Sequence, residues 1–153
     1  MKKSKPSIII SPKYLPIATE PSRYFVVTGG RGSSKSFSVT AILTLLTCQA
    51  GHTILFTRYT MVSTLISIIP EFLEKIEIMG LEDMFTVTKS EIVNIETGSK
   101  ILFRGIRTSS GDQSANLKSL QGITCWIIEE AEELVDEDVF DKIDLSVRQK
   151  GIQ

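Results

Sequence analysis

With 153 residues, 42% hydrophobic and 23% charged, the chain has the composition of one globular domain with a core of ordinary size, which excludes a disordered or fibrous polymer. A formal net charge of −1 excludes a global positive field as the basis of nucleic-acid binding, so any such contact must be local or shared with partners. The longest apolar run, Ala41 to Cys48, is far short of the roughly 20 residues of a membrane span, and Pro6, Ser11 and Pro12 interrupt the basic start before a signal-peptide core can form. Cys48 and Cys125 lie in apolar segments without metal-ligand spacing. The expectation is a cytoplasmic protein with reduced, buried thiols.

Four of the five prolines fall in residues 1–22, which predicts an extended N-terminal arm laid over the domain of residues 23–153. Tyr24 to Val27 reads as a first strand that stops at a glycine-rich turn. A helix follows over Ser36 to Ala50, with Phe37, Val39, Ala41, Ile42, Leu45 and Leu46 as its apolar positions and Gly51 as its stop. Thr53 to Thr57 is a buried strand, and the segment from about Thr60 to Met79 is helical with a kink or break at Pro70. The runs MFTVT, EIVNIE and KILFRG predict three short strands that make an antiparallel insertion or a sheet edge, the last two joined by a hairpin with Gly98 in its turn. A polar loop, Thr108 to Asn116, leads to the apolar strand TCWII, and a last helix spans about Val135 to Gln149. Strands alternating with helices define an α/β fold.

Gly29, Gly30, Arg31, Gly32, Ser33, Ser34, Lys35 and Ser36 occupy the eight positions of G-x-x-x-x-G-K-[ST], with Ser34 where the second motif glycine is usual. Between a strand and a helix, such a loop turns backbone N–H groups and a helix amino terminus toward phosphate oxygens. Lys35 then reaches the outer phosphates of ATP and the Ser36 hydroxyl holds Mg2+. If position 34 requires a left-handed backbone, serine costs about 1 to 2 kcal/mol relative to glycine. Arg31 offers a planar fork to a γ-phosphate or to a neighbouring subunit's carboxylate, the alternative being a solvated surface arginine.

The strand Thr124 to Ile128 runs directly into Glu129 and Glu130. A first acid at such a strand end orients the metal or its water, and a following glutamate polarises the attacking water. Glu129 is therefore the candidate metal-side carboxylate, one methylene longer than the more common aspartate, and Glu130 the candidate general base. The plainer alternative is that the run of glutamates opens a helix at the positive end of its dipole.

Together VVTGGRGSSKS and LKSLQGITCWIIEEAEEL resemble the ATPase domain of the large subunits of tailed-phage terminases, over about Arg23 to Arg148. The resemblance implies a P-loop NTPase fold with a central, mostly parallel sheet of the additional-strand, catalytic-glutamate type and an antiparallel insertion. It implies hydrolysis of ATP with Mg2+, coupled to movement of double-stranded DNA into a prohead in the host cytoplasm. The partners it implies are the portal protein, the small terminase subunit and further copies in a ring, with no membrane. It casts Arg31 as the arginine that senses or stabilises the γ-phosphate, in its own subunit or across an interface, and suggests nucleotide or DNA contacts for Arg58 and Lys118. The family's coupling motif and its nuclease domain have no counterpart before Gln153, so the chain is expected to be an N-terminal fragment, incomplete at its C-terminal end and without nuclease activity. A helicase or other P-loop motor, and a nucleotide-binding assembly module without turnover, are the alternatives. His52 reads as a turn residue, Trp126 as core, and Lys2, Lys3 and Lys5 as a solvated terminus.

Overall fold

The computed structural model describes residues 7–108, 111–112, 120–145 and 147. A five-stranded sheet of order β2-β3-β4-β1-β7 organises the chain. Its strands are β1 (Thr53–Arg58), β2 (Phe85–Val87), β3 (Glu91–Asn94), β4 (Lys100–Gly105) and β7 (Cys125–Ile128); β5 (Arg107–Thr108) and β6 (Gly111–Asp112) form a separate two-stranded ribbon. β1 pairs in parallel with both β4 and β7, while β2 and β3 add antiparallel strands beyond β4. The expected antiparallel insertion is thus one edge of the main sheet. Its β3–β4 hairpin turns through Gly98 at φ +73°, a conformation that favours glycine.

Helices cover both faces. α2 (Lys35–Leu46) and α4 (Ile69–Ile78) pack on one side, where Leu43, Ile54, Phe56, Ile69, Phe72 and Phe103 form the larger core. Phe56, Phe72 and Phe103 meet there with ring centroids 5.6 to 5.9 Å apart, edge-on or tilted. α5 (Glu137–Asp144) closes the other side through Val139 and Ile143, packed with Leu55, Leu102 and Ile123. The alternation of Ile54 and Phe56 against Leu55 is the period-2 rule of a strand covered on both faces. α2 buries Leu43, whereas Leu45, expected on its apolar face, is 42% exposed. Its buried Thr40 and Thr44 are satisfied by donating to the carbonyls of Ser36 and Thr40, each at 2.8 Å.

Between β1 and α4 the helical run changes type just before Pro70. α3 (Met61–Ser63) passes into a π-helical turn, Thr64–Ile68, and α4 starts afresh with the proline in its first turn, where no intrahelical N–H is required.

Three expectations are corrected. Tyr24 to Val27 forms no strand; Tyr24 and Val26 are exposed, and side chains hold the segment instead. Ser22 Oγ donates to the Tyr24 carbonyl, and Arg23 pairs with Asp144 at 3.0 Å. β propensity is realised only on an available ladder, and among the described residues the sheet ends at β7 without one to this segment. The arm is not extended either: Pro12–Tyr14 is a 3-10 turn and α1 (Pro16–Thr19) a single helical turn, both started by prolines. The final helix ends at Asp144 rather than Gln149, and residues 148–153 lie outside the described residues.

Thr57, fully buried, joins β1 to β7 beyond the ladder: its hydroxyl donates to the Ile127 carbonyl at 2.8 Å and accepts from Trp126 Nε1 at 2.8 Å. Thr57→Val keeps the shape but leaves both partners unsatisfied, so it should cost about 1 to 3 kcal/mol, read as a lower urea midpoint with an altered Trp126 emission.

Candidate active site

The phosphate loop closes on itself before α2 begins. The Ser33 amide donates to the Gly30 carbonyl at 3.3 Å, Gly32 sits at φ +77°, and Ser34 caps α2 at φ 59° and ψ 19°. Position 34 does take the left-handed backbone that its usual glycine accommodates, so serine carries the strain. Gly29 is required for a different reason: a Cβ there would stand 2.6 Å from Ser33 Oγ. Lys35 and Ser36 then start α2, where the unsatisfied N–H groups and the dipole favour an anion. Arg31 is exposed on the loop.

The acidic pair arrives by register. β1 and β7 align Thr57 with Ile128, and the Glu129 amide continues the ladder by donating to the Thr57 carbonyl at 2.9 Å. The next residue of each strand is then a charged one at the carboxyl edge of the parallel sheet, where open α/β sheets place their sites. Arg58 donates from Nε to Glu130 Oε2 at 3.0 Å and again from Nη2; its Nε lies 4.0 Å from Glu129 Oε2, and its Nη1 donates to Ser67 Oγ at 3.1 Å. Arg58 thereby ties the acidic motif to the π-helical turn. Lys118 lies outside the described residues.

Glu130 adopts φ 52° and ψ 52°, so among the described residues the two non-glycine positions at positive φ are Ser34 and Glu130. The structure concentrates its backbone strain in the two predicted motifs.

Electrostatics link them. Burial pushes the Glu129 carboxyl up to about 7, opposed by the charges of Arg58 and Lys35 and reinforced by Glu130 and Glu71. The Lys35 charge, in the phosphate loop, is the weakest of these influences on Glu129. Glu129 Oε2 and Glu71 Oε2 are buried without a hydrogen-bond partner among the described residues. Glu130 lies more open, its side chain 41% exposed, with Arg58 held more firmly charged by it. Glu71, on α4, carried no sequence signal, since a glutamate in a helical first turn is ordinary.

The remaining titratable candidates play no part here. Burial pushes the Cys125 thiol up to about 11 and raises that of Cys48, keeping both protonated, and neither forms a disulfide. His52 ends its turn with Nδ1 3.5 Å from Thr124 Oγ1. Trp126 packs into the core, 5.4 Å from Phe140 between ring centroids.

A glycine-cornered loop before a helix, in one sheet domain with two glutamates at the end of a parallel strand, is the pattern of a P-loop nucleotide-binding fold. Residues 21–153 match the family described as phage terminase large subunit, and the chain belongs to it. It is 29% identical to the large terminase subunit of Bacillus phage SPP1, covering 91% of this chain and 34% of that protein. In fold it is similar to the large terminase of a thermophilic bacteriophage, with a TM-score of 0.69 and 11% identity over 95% of this chain and 38% of that one. The chain spans about a third of the length of these relatives.

The Glu129 shift makes metal-free stability depend on pH. Its folded pKa lies above the ordinary 4.5, so the protonated form stabilises the fold and that contribution is lost as pH rises from about 4.5 through about 7. Glu129→Gln should therefore be the more stable protein at pH 8 in chelator, by roughly 2 kcal/mol after allowance for solvent screening, with the difference vanishing near pH 4. Urea titrations at the two pH values check this.

Proposed function

We propose that this chain is the ATP-hydrolysing part of a viral DNA-packaging motor. The single observation that carries the reading is that a glycine-cornered phosphate loop opening α2 and a Glu129–Glu130 pair at the carboxyl edge of the parallel sheet occur together in one domain of the terminase large-subunit family. The loop N–H groups and Lys35 bind the phosphates of ATP and neutralise the charge that gathers on them during transfer. Arg31, exposed on that loop, reaches the outer phosphates from its own subunit or from a neighbour in a ring.

Ser36 and Glu129 are the residues that would hold Mg2+. The fit rests on the buried, unpartnered Glu129 Oε2, which a cation would satisfy, and on a donor set of one hydroxyl and one carboxylate that suits a metal shared with phosphates. When bound, the metal supplies Lewis-acid neutralisation of the phosphate oxygens.

Glu130 is the general base. It accepts a proton from water as the water oxygen attacks the γ-phosphorus and the bond to the β-phosphate oxygen breaks, yielding ADP and phosphate. Its carboxylate is held by Arg58, so it exchanges that partner for the water as it acts. Family membership supports the rest of the proposal: double-stranded DNA as the moved substrate, the portal protein and small subunit as partners, and the host cytoplasm as the site of action.

Single-turnover ATP hydrolysis by the full-length polypeptide tests the reading. Glu130→Gln should lower the rate about 100-fold or more with ATP binding retained, and Lys35→Ala should lose binding itself. Unchanged turnover in Glu130→Gln would favour a nucleotide-binding assembly module instead.

A further inference from the structure

The N-terminal arm reaches the phosphate loop through one side chain. Tyr14 is 4% exposed, and its hydroxyl donates to the Ser33 carbonyl at 2.9 Å, with Ser33 Oγ at 3.5 Å. The same hydroxyl would stand 3.6 Å from a Cβ on Gly29, so it lies against both limbs of the loop. Lys13 covers the ring, its Nζ 4.7 Å from the centroid. Some residues later the arm is fixed again: Arg23 pairs with Asp144 and donates to the Val147 carbonyl at 3.2 Å, and Tyr24 Oη donates to Asp144 at 3.1 Å.

The bonded carbonyl belongs to the peptide that joins Ser33 to the strained Ser34. A trans peptide is planar with its C=O and N–H on opposite sides, so holding the carbonyl fixes the direction of the Ser34 N–H. Ser34 at φ 59° would lower its energy by leaving the left-handed region, and a flip of this peptide is the local route out. Tyr14 closes that route. A glycine at position 34 would not require the restraint, because left-handed φ costs it nothing.

Resting on the phosphate-loop reading above, we infer that Tyr14 is a positioning residue for nucleotide binding, whose hydroxyl holds the Ser33–Ser34 peptide with the Ser34 N–H turned to the phosphates. The sequence shows why this chain has such a device: Ser34 stands in place of the motif's glycine, and the arm supplies from outside the rigidity that the loop lacks.

The test is a cycle of Tyr14→Phe and Ser34→Gly in the full-length polypeptide, with ATP as the probe, measuring Kd calorimetrically together with kcat and KM. Phenylalanine keeps the buried ring, and a thermal melt verifies each variant's fold. Tyr14→Phe should raise Kd and KM for ATP about fivefold, the worth of one hydrogen bond, with kcat within about twofold of wild type. In the Ser34→Gly background the same change should alter Kd by less than about twofold. Unchanged affinity in Tyr14→Phe overturns the inference, as does an equal loss in both backgrounds, which marks a merely structural contact. Failure of the underlying reading looks different: Lys35→Ala then binds ATP as wild type does, and both proposals fall.

Discussion

The parallel register of β1 against β7 is the constraint on which the site depends. Because Thr57 lies opposite Ile128, the next residue of each strand is Arg58 and Glu129, and both emerge on the same edge of the sheet. A slip of one residue would send Arg58 to the other face and break the tie to Glu130. The register is held from both sides of the sheet: Ile54 and Phe56 enter the larger core, Leu55 and Trp126 the smaller one, and the Thr57 hydroxyl bonds both Ile127 and Trp126 across the strands. Core packing and site geometry are here the same fact.

Strain follows the same economy of placement. Ser34 and Glu130 sit at positive φ in the two motifs, and each motif is restrained by a hydrogen bond from a residue outside it. Tyr14 of the arm holds the peptide before Ser34, and Arg58 of β1 holds the Glu130 carboxylate. A left-handed non-glycine residue persists only where its surroundings over-determine it, and these two donors are the visible part of that restraint. Arg58 also grips Ser67 in the π-helical turn, so the acidic motif is joined to the segment that leads into α4.

What the sequence disclosed was local, and what it hid was relational. The motif spacing placed Gly29 to Ser36 between a tight turn and a helix start, and the apolar run before Glu129 marked β7, because these patterns follow from backbone requirements within a few residues. Gly98 in the hairpin and Pro70 at the start of α4 were legible for the same reason. Tyr24 to Val27 misled because a β-rich run predicts a strand only where a neighbouring edge accepts it. Leu43 and Leu45 were exchanged because a helix between a sheet and another helix buries more than one narrow stripe. Tyr14 and Arg58 acquire their roles from residues 19 and 72 positions away, a separation at which composition and periodicity carry no signal. One hint existed for Tyr14: a serine at a glycine position asks what else holds the loop.

The charge balance of the acidic side bears on the protonation of Glu129. Arg58 is shared between Glu130, which takes its hydrogen bonds, and Glu129, which receives only a contact at 4.0 Å. Glu71 adds a third carboxylate whose Oε2 is buried without a partner among the described residues, and its charge further disfavours ionisation of Glu129. Burial is the main cause that pushes the Glu129 carboxyl up to about 7, and one guanidinium shared among three carboxylates does not offset it. Lys35 in the phosphate loop adds a weaker opposing charge. An anion at the loop would offset that charge and so favour the protonated Glu129, whereas a cation beside the carboxylate would favour the ionised one.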